Sequence, residues 1–313
     1  SFSFRTGERL GSILGGAGYH NLRFDHRGTG DTSASPRTRL DLDLMAADVL
    51  SVARDGRKRF KPATIRVEAS NTPPQNRATS LFLLAHDSGC ALTLRAIKND
   101  LIKNPAIDGS KGARRDALPT GVILLACDLS GALLDQWGRQ LLYNMRRQNV
   151  DPDIVTRAEG EWSRFRKDGS LPLKEIAATE KPPPDLVAFR EALRFMASEE
   201  MRDFRATAAA IDLEGSARTL LRRGIPVLHL IGTMDAELPP ESIQAMRSLA
   251  ASLAKTGPYR FHLIPAMNHF LKEQQQDLRG PGLALERMNP FRIIHPTAIR
   301  LIREFIETHS RNL

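Results

Sequence analysis

Ser80-Leu-Phe-Leu-Leu-Ala-His-Asp-Ser-Gly-Cys-Ala-Leu92 joins two kinds of pattern. Leu81 to Leu84 is an apolar run of the length of a fully buried strand; small and polar residues end it abruptly, and a helical spacing then runs from Ala91 through Leu94 to Ile97. The stretch is therefore read as strand, sharp turn and helix. Such a turn lifts one side chain above the sheet in a strained conformation, so the residues two before and two after it should be small. With Asp87 at the apex these are Ala85 and Gly89; with Ser88 they would be His86 and Cys90, a poorer fit. The turn is expected to present Asp87, with Ser88 next to it.

Size and composition bound what surrounds this turn. A chain of 313 residues with 41% hydrophobic content can bury one large core plus an inserted subdomain. No apolar run has the length of a membrane span, and Ser1-Phe-Ser-Phe-Arg5 lacks a signal-peptide core, so the expectation is a soluble, cytoplasmic protein with no membrane partner. Cys90 and Cys127 sit at predicted strand ends and are read as small buried thiols rather than a disulfide framework. The net charge of +9 is spread among acidic residues on helices such as Glu161 to Lys167, without aromatic interleaving or a nucleic-acid motif; solvated helix faces, not a nucleic-acid partner, account for it.

In chain order, residues 7 to 17 read as a helix and Tyr19 to Phe24 as a buried strand, followed by Asp25-His-Arg-Gly-Thr-Gly-Asp-Thr-Ser33. Gly28-Thr-Gly30 lacks the third glycine of a dinucleotide fingerprint, so no nucleotide cofactor is expected. Asp41 to Arg54 is an amphipathic helix, with Asp41 and Asp43 as first-turn charges rather than a metal pair. Gly121 to Ala126, Ile225 to Ile231 and Tyr259 to Ile264 are further buried strands, and Pro296 to Glu307 is the final helix. Strands alternating with helices predict a mostly parallel, doubly wound α/β sheet with ligands at the strands' C-terminal ends. Between Asp128 and Arg218 the strand pattern gives way to helices over 133–148, 152–167 and 185–205, broken at Lys181-Pro-Pro-Pro184. The eight histidines never pair at ligand spacing, so no metal is expected.

Ala85-His86-Asp87-Ser88-Gly89 resembles the Gly-x-Ser-x-Gly elbow of the α/β-hydrolase superfamily, with Ala for the first Gly and Asp where most members carry Ser. The glycine-rich loop at residues 25–33, the Gly232-Thr-Met-Asp235 turn with Leu238-Pro-Pro240, and Pro265-Ala-Met-Asn-His269 are further points of resemblance. The resemblance implies a core from residues 1–128 and 219–313, a helical cap over residues 129–218, and a triad of Asp87, Asp235 and His269. It implies oxyanion stabilisation by the Ser88 N–H, and substrate contacts from Trp137 and Tyr143 under the cap. It also implies three strands upstream of residue 19, one of them lying between 20–25 and 81–85. Without it those strands would stand roughly 10 Å apart with unpaired backbone groups, so an upstream segment of the same polypeptide is expected to complete the sheet.

A carboxylate attacking an ester carbonyl would give a high-energy anhydride, whereas attack on a saturated electrophilic carbon gives an ordinary ester. Asp87 thus looks like the nucleophile of epoxide hydrolases and haloalkane dehalogenases, acting on a small organic substrate, with His269 activating water in the second step. Those enzymes commonly follow the Asp with Trp or Arg, and epoxide hydrolases use two cap tyrosines, where this stretch has Tyr143 alone. The rest of the chain looks closer to bacterial esterase and peptidase-type serine hydrolases. The alternative is therefore such a relative with Ser replaced by Asp, acting as a cyclase or lyase or as an inactive binding protein.

Overall fold

The structure is a computed structural model that describes residues 2–24, 41–60, 80–103, 118–168, 184–274 and 293–310. Four parallel strands, β1 (Phe82–His86), β2 (Gly121–Leu125), β3 (Val227–Met234) and β4 (Tyr259–Asn268), lie side by side in chain order. Between them run α3 (Gly89–Lys103), the helices α4 (Leu133–Arg147), α5 (Pro152–Asp168), α6 (Pro184–Ala197), α7 (Arg202–Ala210) and α8 (Leu213–Arg222), and then α9 (Pro240–Ala254). Helices α1 (Phe2–Gly16) and α2 (Leu42–Arg59) precede the sheet, and α10 (Pro296–Ser310) follows it.

The period-two pleat sorts each strand's side chains into two cores. Val122, Leu124, Val227 and Ile231 face the layer of α2, α3, α8 and α9, while Ile123, Leu125, Leu228, Leu230 and Ile264 face α1 and α10. β2 is buried at every position because it has a strand on either side and helices on both faces. α2 begins where Asp41 accepts hydrogen bonds from the N–H groups of Asp43 and Leu44, and Asp43 pairs with Arg95 of α3 at 2.8 Å.

Three sequence expectations are corrected. Tyr19 to Phe24 is not a strand: it runs outside the sheet and leaves Leu22 45% exposed, since no described strand lies beside it to complete its hydrogen bonds. The helix expected over 185–205 is interrupted at Ser198, where a short 3₁₀ turn (Glu199–Met201) separates α6 from α7. Cys90 and Cys127, both buried with Cα atoms 6.3 Å apart, are joined as a disulfide rather than separate thiols; the elbow helix and the end of β2 bring them together across a sequence separation of 37, which spacing alone did not reveal. The glycine-rich loop at residues 25–33 and the proline break at residues 181–183 lie outside the described residues.

One polar pair is buried in the sheet. His229, fully enclosed in β3, donates from Nε2 to the Cys127 carbonyl (3.0 Å) and accepts at Nδ1 from the Tyr259 hydroxyl (2.6 Å). Burial pulls its pKa down to about 4, against smaller opposing effects of the Cys127 carbonyl and Asp128. A histidine kept neutral in the fold but titrating near 6.5 when unfolded gives its full stability above pH 6.5 and loses it as pH falls toward 4, by roughly 3 kcal/mol in all. Urea titrations between pH 7 and 4 are expected to show this acid loss, and His229→Gln is expected to flatten it. An unchanged slope in that variant would remove His229 from the account.

Candidate active site

Asp87, Asp235 and His269 each occupy the first position past the C-terminal end of a strand: β1, β3 and β4 respectively. Because the strands run parallel, their C-terminal ends lie on one edge of the sheet, which is how residues far apart in sequence converge. Asp87 sits at φ +53°, the left-handed region that a non-glycine residue enters at a cost of order 1–3 kcal/mol. Its N–H donates to the Leu125 carbonyl, and its own carbonyl accepts from Cys90 N–H as α3 starts (both 3.0 Å). The strain therefore belongs to the strand-to-helix turn anticipated at this residue, and the carboxylate is exposed at its apex.

His269 is aimed by a local irregularity. Between Gly232↔Ile264 and Met234↔Asn268 the β3–β4 pairing slips, two residues on β3 spanning four on β4, with Ala266 at φ +55°. Beyond the bulge, Asn268 Oδ1 accepts the N–H groups of Phe270 and Lys272 (both 3.0 Å), fixing the turn that carries His269. The imidazole, 4% exposed, donates from Nδ1 to Asp235, with both carboxylate oxygens at 3.1 Å. Asp235 Oδ1 also accepts from the N–H groups of Glu237 (2.9 Å) and Leu238 (3.2 Å), so the acid's rotamer is held from two sides. Burial acts to lower the His269 pKa, but the charge and hydrogen bond of Asp235, with the charges of Glu237 and Asp87, outweigh it and raise the value to about 9.

Nε2, the other ring nitrogen, lies 3.7 Å from Glu237 Oε2. His86 stands against His269 with ring centroids 4.8 Å apart and donates from Nε2 to the His269 carbonyl at 2.8 Å. Burial, and then the charge of His269, push the His86 pKa down, leaving it neutral beside a protonated neighbour.

A cleft opens between this edge and α4, with about 30 Å³ accessible to water, room for one or two molecules. Asp87, Ser88 and His269 line it from the sheet side, Glu237 and Leu238 from the acid loop, and Trp137 and Gln140 from α4. Asp128 also reaches it, but its carboxylate is taken up by Arg139 (2.9 Å) and by the Ser130 N–H (2.7 Å) and hydroxyl (2.5 Å), which makes it a brace for the start of α4. A larger hollow of about 430 Å³ runs along α2 past Ser51, Arg54 and Lys58. It is lined by one face of a single helix and brings no nucleophile to a base.

The structure thus gathers Asp87, Ser88, Asp235, His269 and Trp137 around one cleft and leaves Tyr143 out of its lining. Trp137 also stacks on Phe204 (5.3 Å), while Tyr143 packs under the Arg147 guanidinium (5.8 Å). Among the described residues His269 is hydrogen-bonded to Asp235 and not to Asp87. Ser88 immediately precedes the first turn of α3, the end of the helix that carries partial positive charge. Sequence reasoning missed Glu237, His86 and Gln140. Glu237 lies two residues past the predicted acid and His86 one before the predicted nucleophile, so proximity to the motifs was the available signal.

No group of three or more candidate metal ligands is found among the described residues, and none of their helices is long and apolar enough to cross a membrane. No curated protein matches the chain in sequence. Solved structures similar to it include a monoacylglycerol lipase from Paleococcus ferrophilus (18% identity, TM-score 0.45, covering 96% of this chain and 88% of the lipase). An esterase from Exiguobacterium antarcticum (16%, 0.45, 96% and 87%) and a thermophilic esterase from Thermogutta terrifontis (17%, 0.42, 97% and 85%) are also similar. The alpha/beta hydrolase family model matches residues 2–276, a span that takes in the whole described sheet and the Asp87, Asp235 and His269 turns. The chain belongs to the alpha/beta hydrolase family.

Proposed function

We propose that the protein hydrolyses a small organic substrate carrying an electrophilic saturated carbon, an epoxide or a carbon–halogen bond, through an ester formed on Asp87. The observation that carries this is the placement of an exposed carboxylate on the strained β1–α3 turn, in the same cleft as a histidine already bound to an acid. In the first step an Asp87 oxygen attacks the carbon; a C–O ester bond forms as the epoxide C–O or C–halogen bond breaks, and the electron pair leaves with the alkoxide or halide. In the second, a water oxygen attacks the Asp87 ester carbonyl while Nε2 of His269 takes the water's proton. Ser88 N–H supports the oxyanion; its collapse breaks the ester C–O bond, the leaving alkoxide takes the proton back from Nε2 of His269, and the released Asp87 carboxyl ionises.

Two features favour a second reading, a relative of serine esterases whose altered elbow no longer hydrolyses. His269 lacks a hydrogen bond to Asp87, and its Nε2 faces Glu237. Trapping separates the two. His269→Ala incubated with styrene oxide or 1-bromobutane is expected to accumulate an ester that peptide mass spectrometry places on Asp87, and wild-type single turnovers in ¹⁸O-water should leave the label in the Asp87 carboxylate. Neither adduct nor label across a broad panel of epoxides, alkyl halides and esters would sink the nucleophile assignment and leave the second reading.

A further inference from the structure

One oxygen links the helix over the cleft to the catalytic imidazole. Gln140, on α4, donates from Nε2 to Glu237 Oε2 at 3.1 Å, and the same Oε2 stands 3.7 Å from Nε2 of His269. The neighbouring residue is fixed by α4 as well, since Arg147 donates to the Ala236 carbonyl at 3.0 Å. The acid loop thus carries two carboxylates with separate duties: Asp235 takes Nδ1 of the ring, and Glu237 faces the nitrogen turned toward the cleft. A separation of 3.7 Å is an ion-pair distance, beyond a hydrogen bond.

Deepening the proposed hydrolysis, on which the catalytic part rests, we propose that Glu237 is a positioning residue: held by Gln140, its carboxylate docks on Nε2 of His269 and governs when that nitrogen is free to accept a proton from water. In the resting site the imidazolium lies between two carboxylates. Nε2 becomes a base only when its proton departs, and each negative charge nearby delays that. Among the described residues, the titratable groups facing His269 are Asp235 and Glu237 from the loop after β3, and Asp87 and His86 from the end of β1. Asp128 lines the same cleft from the end of β2 but is engaged by Arg139 and Ser130, and Gln140 from α4 is neutral. Gln140 ties Glu237, and through it the cleft side of His269, to α4. A substrate that displaces Gln140 would therefore alter the proton affinity of the histidine it is about to use.

The test reads the imidazole itself, so it is independent of whether Asp87 is a nucleophile. In ¹⁵N-histidine-labelled protein, the His269 titration midpoint is expected to fall by about one pH unit in Glu237→Gln, which keeps a partner for Gln140 but removes the charge. Glu237→Asp, with a shorter reach, should restore part of the shift, and Gln140→Ala should lower the midpoint by a smaller amount. For any substrate found to turn over, the limb of the pH–rate profile assigned to His269 should move with the titration. A midpoint in Glu237→Gln within 0.2 pH units of wild type, while Asp235→Asn moves it, overturns the proposal. Should Glu237→Gln fail to fold, Gln140→Ala decides it, with an unmoved midpoint counting against. If the midpoint moves as expected but no adduct forms on Asp87, the linkage stands and the hydrolytic reading falls.

Discussion

Asp235→Asn is expected to lower turnover by about 10⁴-fold while the protein still folds, the scale of loss when a triad acid becomes its amide. The direction follows from what holds the side chain. Asp235 Oδ1 accepts from the N–H groups of Glu237 and Leu238, and an asparagine oxygen will stay with those donors. Its NH₂ group then replaces Oδ2 and points at Nδ1 of His269, which must turn acceptor; the ring's proton moves to Nε2, and the nitrogen facing the cleft can no longer take one from water. The lost charge compounds the effect. With its pKa raised to about 9, wild-type His269 is mostly protonated at neutral pH, so the water-activating step should accelerate as pH rises toward 9. In the variant the charges of Glu237 and Asp87 oppose burial without the help of Asp235, and the midpoint should drop.

Stability supplies an independent reading. A histidine with a raised folded-state pKa contributes fully below its unfolded value near 6.5 and loses that contribution as pH climbs through about 9; here it amounts to roughly 3 kcal/mol. Asp235→Asn should therefore melt lower than wild type at pH 6, with the gap narrowing by pH 10. Full activity in this variant, or a His269 midpoint that does not fall, would show that Asp235 is not the acid of this site.

What could be read from sequence was the part governed by chain-local patterns. Runs such as Gly121-Val-Ile-Leu-Leu125 are buried strands whatever lies beside them, and three of these strands end in residues whose chemistry fits a nucleophile, an acid and a base. Tyr19 to Phe24 has the same local pattern and is not a strand, because pairing depends on a neighbour that the local pattern does not specify. The Cys90–Cys127 disulfide and the Gln140–Glu237–His269 chain were invisible for a related reason: each joins residues from different crossovers, and the distances between them are fixed only once strand order is known. The need for a small residue at Gly89 does not carry over to the structure: a Cβ there would meet no described atom outside its own helix and chain neighbours within 4 Å, whereas within the sheet strands a Cβ at Gly232 would meet backbone.

Gly232→Ala is accordingly expected to be among the most damaging single changes in the sheet. A Cβ at this position would lie 1.8 Å from the Met267 carbonyl oxygen and 2.4 Å from its carbon. Both are backbone atoms at the β3–β4 bulge, so no rotamer change relieves the contact, and the strands must part or slip. Overpacking in a closed interior costs about 1–3 kcal/mol, and a clash with backbone belongs at or above the upper end. The functional loss should exceed what destabilisation alone produces, because Gly232 precedes Asp235 by three residues and Met267 precedes His269 by two. Spreading the bulge lengthens the 3.1 Å contact between His269 and Asp235. At temperatures where the variant is fully folded, its His269 midpoint should fall toward the ordinary imidazole range. Gly89→Ala, made in parallel at the elbow itself, should change melting temperature little. If the two alanines behave alike, the bulge does not set the Asp235–His269 geometry, and the aim of His269 must come from the Asn268 turn instead.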